Sequence, residues 1–182
     1  MALTLYRKEI NSTDRLYIQC EGGRVYIATP YTALCIPEAM YPEFRMLSPR
    51  LIPLADGKKA ESTDAKKPCE IVPHGMDIKH LAEVDFSTEV YDTKFKYEAY
   101  RSGKSFDIKI LKDVNGSTIW AVNPVYVNIG KQIMAEFRRM STLYSNGANG
   151  FSPLMLKGED IQFLFFPVDP DGLTDAIRQL AE

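Results

Sequence analysis

The sequence holds two histidines, three cysteines and one tryptophan in 182 residues, and no Cys-x-x-Cys pair. Three cysteines (Cys20, Cys35, Cys69) without framework spacing argue against a disulfide scaffold and fit a reducing compartment. Uninterrupted apolar runs stay far below the roughly 18 residues a membrane-spanning helix needs. MALTLYRKEI lacks the apolar block of a secretion signal. A soluble, cytoplasmic protein without membrane contact is expected. Charge of one sign is also missing: 22 basic against 24 acidic residues, pI about 5.8, gives no global attraction to nucleic acid. A basic face on one element remains compatible with that balance.

Catalytic signatures are scarce as well. G-x-S-x-G is absent. Residues 101–106, RSGKSF, hold the Gly-Lys-Ser of a phosphate loop, but Glu98 stands where its first glycine belongs and 105–112 alternates like a strand rather than opening a helix. No enzyme and no cofactor are expected.

What is present is a chain with 45% hydrophobic and 25% charged residues, the balance of one globular domain. RLYIQCEGGRVYIATPYTALCIP reads as a β-hairpin turning at Gly22-Gly23, with a third strand through Ala33–Ile36. Residues 37–87 carry six prolines, and ADGKKAESTDAKKP (55–68) has no apolar residue larger than alanine. The first range is expected to be an insertion and the second a solvated, mobile loop. Strand pattern returns at 89–100 and continues through 105–122, broken by Asn115-Gly116, a strong hairpin signal.

Ile129, Ile133, Phe137 and Met140 then recur at steps of four, four and three, predicting an amphipathic helix over 124–140. Asn123 is its expected cap and Pro124 its first residue. STLYSNGANGF reads as a strand and a turn, and SPLMLKGEDIQFLFFPV as two strands joined at 157–160. Leu173, Ile177 and Leu180 predict a tail helix over 171–182. No helix is expected before Arg15. The fold class is therefore α+β, antiparallel sheets packed by a helix, in a single domain over 1–182.

Two clusters could carry chemistry. Cys69, His74 and His80 have a spacing that could hold a metal in a small enzyme or ligand-binding protein, against the simpler reading of a buried thiol and two solvated histidines. Lys131, Arg138 and Arg139 on the polar helix face could meet phosphates, against a merely solvated face. A structural protein assembling through the edge of strand 89–100 is a third reading.

The C-terminal order Val122-Asn123-Pro124-x-Tyr126, an amphipathic helix, then Ser152-Pro153-Leu154-Met155-Leu156-Lys157-Gly158-Glu159-Asp160 and an apolar strand ending on Phe166-Pro167-Val168 resembles the last domain of bacterial sliding clamps, the β subunits of the replicative polymerase. Ala28-Thr29 in the first hairpin is similar to the Ala-Thr of their paired strands, with Pro30-Tyr31 replacing Asp-Gly. The resemblance implies a DNA-clamp-like domain acting without catalysis in replication or repair. It places weak backbone contacts to DNA on Lys131, Arg138 and Arg139. It also implies a groove for clamp-binding peptides lined by Ser152, Pro153, Leu154, Leu164, Phe166, Pro167 and Val168. A chain of one such domain would need several copies, as a homo-oligomer, to encircle DNA.

Overall fold

The computed structural model describes residues 3–101, 104–116, 118–147, 149–150 and 152–168. The first hairpin forms as its alternation requires, β1 (Leu16–Glu21) against β2 (Arg24–Ala28). Its turn puts Gly22 and Gly23 at φ +61° and +74°, a backbone that glycine adopts without a Cβ penalty. The sequence then runs through β3 (Thr32–Pro37), a 3₁₀ turn (Glu38–Met40), α2 (Tyr41–Arg45), β4 (Lys58–Ser62), β5 (Glu70–Val72) and α3 (Lys79–Glu83). The second half contributes β6 (Thr88–Arg101), β7 (Lys104–Asp113), β8 (Ile119–Val122), α4 (Pro124–Glu136), β9 (Thr142–Ser145), β10 (Leu154–Lys157) and β11 (Gln162–Phe165). A further helix, α1 (Thr4–Ser12), opens the chain.

The strands form one antiparallel sheet in the order β5-β4-β1-β2-β3-β11-β10-β9-β6-β7-β8. Period-two alternation sorts its side chains into two faces. On one face Ile18, Leu34, Phe163, Phe165, Leu154, Leu111 and Trp120 join Tyr6 and Ile10 of α1 and Ile129 and Ile133 of α4 in the main core. The run at 161–166 is thus first a core strand, answering to apolar partners on both sides. On the other face Tyr26, Cys35, Met155 and Leu164 are covered by Ile78 and Phe86 from the segment around α3. Just beyond β11 the Phe166 amide donates to Tyr31 O (3.1 Å) and the Val168 amide to Ala121 O (2.8 Å). The second reaches β8, with four strands between it and β11 in the sheet, so the C-terminal half of the sheet curls back on itself.

Several expectations need correction. The range 55–68 is not a mobile loop throughout: β1 has an open edge, and Lys58–Ser62 fill it, with Ala60 opposite Ile18. Buried Gln19 then fixes the following segment, its Oε1 accepting from the amides of Ile78 (2.8 Å) and Lys79 (3.3 Å). A helix does precede Arg15. Leu3, at the cap position, Tyr6 and Ile10 sit at i, i+3 and i+7 and face the core with Leu5 partly buried beside them, from a helix otherwise polar and without a side-chain cap.

The long helix begins as expected, with Asn123 Oδ1 accepting from the Val125 amide (2.9 Å), but it ends at Glu136. Arg138 takes φ +54°, while the Arg138 amide donates to Ala135 O and the Arg139 amide to Met134 O. This is a Schellman turn with arginine at the position usually given to glycine. The chain reverses there, which is why Met140 is 94% exposed instead of continuing the buried stripe. The expected tail helix over 171–182 lies outside the described residues.

Candidate nucleic-acid interface

Helices α1 and α4 lie side by side on the main-core face of the sheet. The Leu5 amide donates to Gln132 Oε1 (3.3 Å), while Glu9 is close enough to Tyr126 that its charge, after burial, pushes the Tyr126 phenol pKa up. Leu5 opposite Gln132 and Glu9 opposite Tyr126 make the pair antiparallel. Their buried stripes turn inward, leaving Arg7 and Lys8 of α1 and Lys131 of α4 exposed, with Arg138 exposed in the turn that ends α4. Over 4–12 and 124–138 there are four basic residues against two acidic ones, Glu9 and Glu136, in a chain whose net charge is −2. Glu9 is drawn inward, accepting from Thr29 Oγ1 (3.0 Å), and burial raises its pKa against that hydrogen bond. The helix pair is thus more basic than the molecule that carries it.

Arg7 and Lys8 are not legible from sequence as members of this basic face, because α1 itself is not. Their signal was the i, i+3, i+7 spacing of Leu3, Tyr6 and Ile10, which assigns Arg7 and Lys8 to the outward side.

The three residues expected to meet phosphates do not stand alike. Lys131 is exposed, and its charge reaches Asp92 on β6: burial raises the Asp92 carboxyl, but Lys109, the Lys94 amide and Lys131 together outweigh it and hold the pKa below the ordinary value. Arg138 is exposed. Arg139 turns away to Asp160, with Nε and Nη2 donating to its two carboxylate oxygens at 2.7 and 2.8 Å and Nη1 donating to Phe137 O. That bidentate pair ties the end of α4 to the β10–β11 turn and lowers the Asp160 pKa chiefly through the hydrogen bond. Its charge is committed inside the molecule.

The expected groove residues also divide. Leu154 and Leu164 are 0% and 1% exposed on opposite faces of the sheet, so one groove cannot be lined by both. The reason is the strand period: Leu154 pairs with Phe165 in register, which leaves Leu164 on the other side. Ser152 is buried and donates to Asn149 Oδ1 (3.2 Å), and Pro153 is half-buried beside it. Phe166, Pro167 and Val168 are half-buried at the surface. Through the Phe166 amide they adjoin Tyr31, which is 54% exposed and stacks on Tyr126 with ring centroids 5.9 Å apart and planes at 18°. Tyr31, Tyr126 and Phe166 thus meet at the surface as an aromatic rim, next to exposed Val125 at the start of α4.

The possible metal ligands are not gathered. The Cys69 thiol is buried, pushed up to about 11 mainly by that burial, and donates to Leu16 O (3.8 Å). His80 is solvated between Asp77 and Glu83, and His74 is exposed. Among the described residues no three His, Cys, Asp or Glu side chains form a group able to hold a metal ion. In the phosphate-loop candidate, Lys104 begins β7 rather than a helix, and Ser102 and Gly103 lie outside the described residues. Among the described residues no helix is long and apolar enough to cross a membrane.

No protein-family model matches the chain, and no curated protein matches it. Among solved structures it is similar to a crystal structure from Eubacterium rectale ATCC 33656 whose protein is provisionally described as a DNA polymerase III beta subunit. The two share 12% identity at a TM-score of 0.44, over 92% of this chain and 64% of that one. The chain thus spans less than two thirds of that protein's length.

Proposed function

We propose that this chain is a non-enzymatic, DNA-clamp-like module that lays the α1/α4 face along the DNA backbone and presents the Tyr31/Tyr126/Phe166 rim to a peptide of a replication or repair partner. The observation that carries the reading is the antiparallel helix pair itself, whose outward positions are Arg7, Lys8, Lys131 and Arg138 in an otherwise acidic protein. Point charges on long side chains suit contact with phosphates without fixed base geometry, the kind of contact that lets a protein slide. Arg138 adds support, since an arginine kept at φ +54° holds a strained backbone where glycine would be comfortable. The sequence resemblance of the Asn-Pro-x-Tyr helix and the closing Phe-Pro-Val strand agrees with this reading. A ring would require several copies of the chain.

The test is fluorescence anisotropy of a labelled duplex titrated with the protein. About four phosphate contacts imply weak binding that falls roughly a hundredfold between about 50 and 200 mM salt. Reversing Arg7, Lys8 and Lys131 to Glu should abolish it with the fold intact by circular dichroism. Absence of binding at low salt, or binding unaffected by the reversal, would remove the proposal. Light scattering with and without DNA then reads the number of copies.

A further inference from the structure

The Tyr31/Tyr126/Phe166 rim has an acidic group behind it. Glu9, half-buried on α1, accepts through Oε1 from Thr29 Oγ1 (3.0 Å), and that hydroxyl accepts in turn from the amides of Tyr31 (3.2 Å) and Thr32 (3.1 Å). Two hydrogen bonds therefore link the carboxylate to the backbone of Tyr31. The turn between β2 and β3 is tied to α1, and the ring it carries is held against α4 by the stack on Tyr126.

Nothing in the fold neutralises this carboxylate. Among the described residues Glu9 makes no ion pair, and its Oε2 takes no hydrogen bond. Its chain neighbours Arg7 and Lys8 are exposed on the outward side of α1. Burial raises the Glu9 pKa, as expected for a carboxylate drawn out of water without a counter-cation. An incoming cation relieves that cost. Beside Glu9 the Tyr31 ring stays 54% exposed despite its stack, and the face of an aromatic ring attracts positive charge. Exposed Val125 and half-buried Phe166 supply apolar flanks.

We infer that Glu9, Tyr31 and Tyr126 form a receptor for an arginine side chain of the partner peptide, its guanidinium lying on the Tyr31 ring and donating to Glu9 Oε2, with an apolar neighbour of that arginine against Phe166 and Val125. A guanidinium suits the place better than an ammonium, because it is planar enough to stack and forked enough to donate at the same time. An acidic residue in the same position meets the Glu9 charge and is rejected, so the carboxylate selects by repulsion as well as by attraction. The inference rests on the reading of the rim as a peptide surface and does not depend on DNA binding.

The probes are the blocked hexapeptide GLFRFG and its counterparts with citrulline or glutamate in place of arginine, each titrated into the full chain with ring-labelled tyrosine and followed by NMR. Tyr31→Phe and Tyr126→Phe assign the two rings. The arginine peptide should shift both rings and bind about tenfold more tightly than the citrulline peptide, the size of a charge-assisted hydrogen bond, with the glutamate peptide weaker still. Glu9→Gln keeps an acceptor for Thr29 and should abolish the preference for arginine over citrulline. Equal affinities at the shifted rings, or a preference that survives Glu9→Gln, would overturn the inference and leave the rim as a peptide surface. If none of the three peptides shifts either ring, the inference falls together with the peptide reading of the rim.

Discussion

At the scale of single residues, Glu9 and Arg138 are both held in states their side chains do not prefer. Burial raises the Glu9 pKa, partly offset by the hydrogen bond from Thr29. A carboxyl with a raised folded-state pKa favours folding fully below its unfolded value, near 4, and loses that contribution as pH rises through the folded value. Glu9→Gln keeps an acceptor for Thr29 and removes the buried charge. Urea denaturation should show the variant gaining on the wild type from about pH 4 upward and levelling off once the pH has passed the raised folded-state value. Arg138→Gly relieves a left-handed backbone and should stabilise the protein by about 1 kcal/mol. The same variant should weaken DNA binding and reduce its salt slope by about one. Opposite signs in stability and affinity are what a functional arginine at a glycine position requires.

At the scale of elements, α4 meets β10 and β11 through Gly130. A Cβ there would come within 2.6 Å of both Leu156 Cδ1 and Phe163 Cδ1, buried atoms with little room to yield. Overpacking of this kind costs about 1–3 kcal/mol, against about 1 kcal/mol gained in helix propensity. Gly130→Ala should therefore lose about 1 kcal/mol in thermal or urea unfolding while DNA affinity is kept, because Gly130 faces the sheet. How much could be read from sequence differs by element for physical reasons. Both hairpins, the Asn123 cap and the paired C-terminal strands announce themselves by local chemistry: Gly-Gly and Asn-Gly turns, an acceptor before Pro124, strict alternation. Helix α1 does not, having a few apolar residues, Leu3, Leu5, Tyr6 and Ile10, among polar ones and no capping side chain. Strand β4 was hidden too, because Lys58–Ser62 owe their strand to the open edge of β1 rather than to their own composition. The end of α4 was overrun because an arginine, not a glycine, makes the turn.

At the scale of the whole molecule, the sheet decides what the candidate residues can do. Its two-residue period separates Leu154 from Leu164, which no reading of the apolar run as a single lining could respect. The surface proposed for a peptide is built by Tyr31, Tyr126 and Phe166, from three parts of the chain far apart in sequence. The basic face likewise joins α1 to α4, and only half of it, Lys131 and Arg138, is legible in the sequence. Arg139 drops out because Asp160, in the β10–β11 turn, accepts from both Nε and Nη2 of its guanidinium.

The central claim, that the α1/α4 face meets DNA, is tested most directly by amide hydrogen exchange of the full chain with and without a DNA duplex at low salt. Slowed exchange is expected within 4–12 and 124–138, with the α3 segment at 77–86 unchanged. Binding that leaves both helices unprotected, or that protects the β6–β7 hairpin in their place, would contradict it.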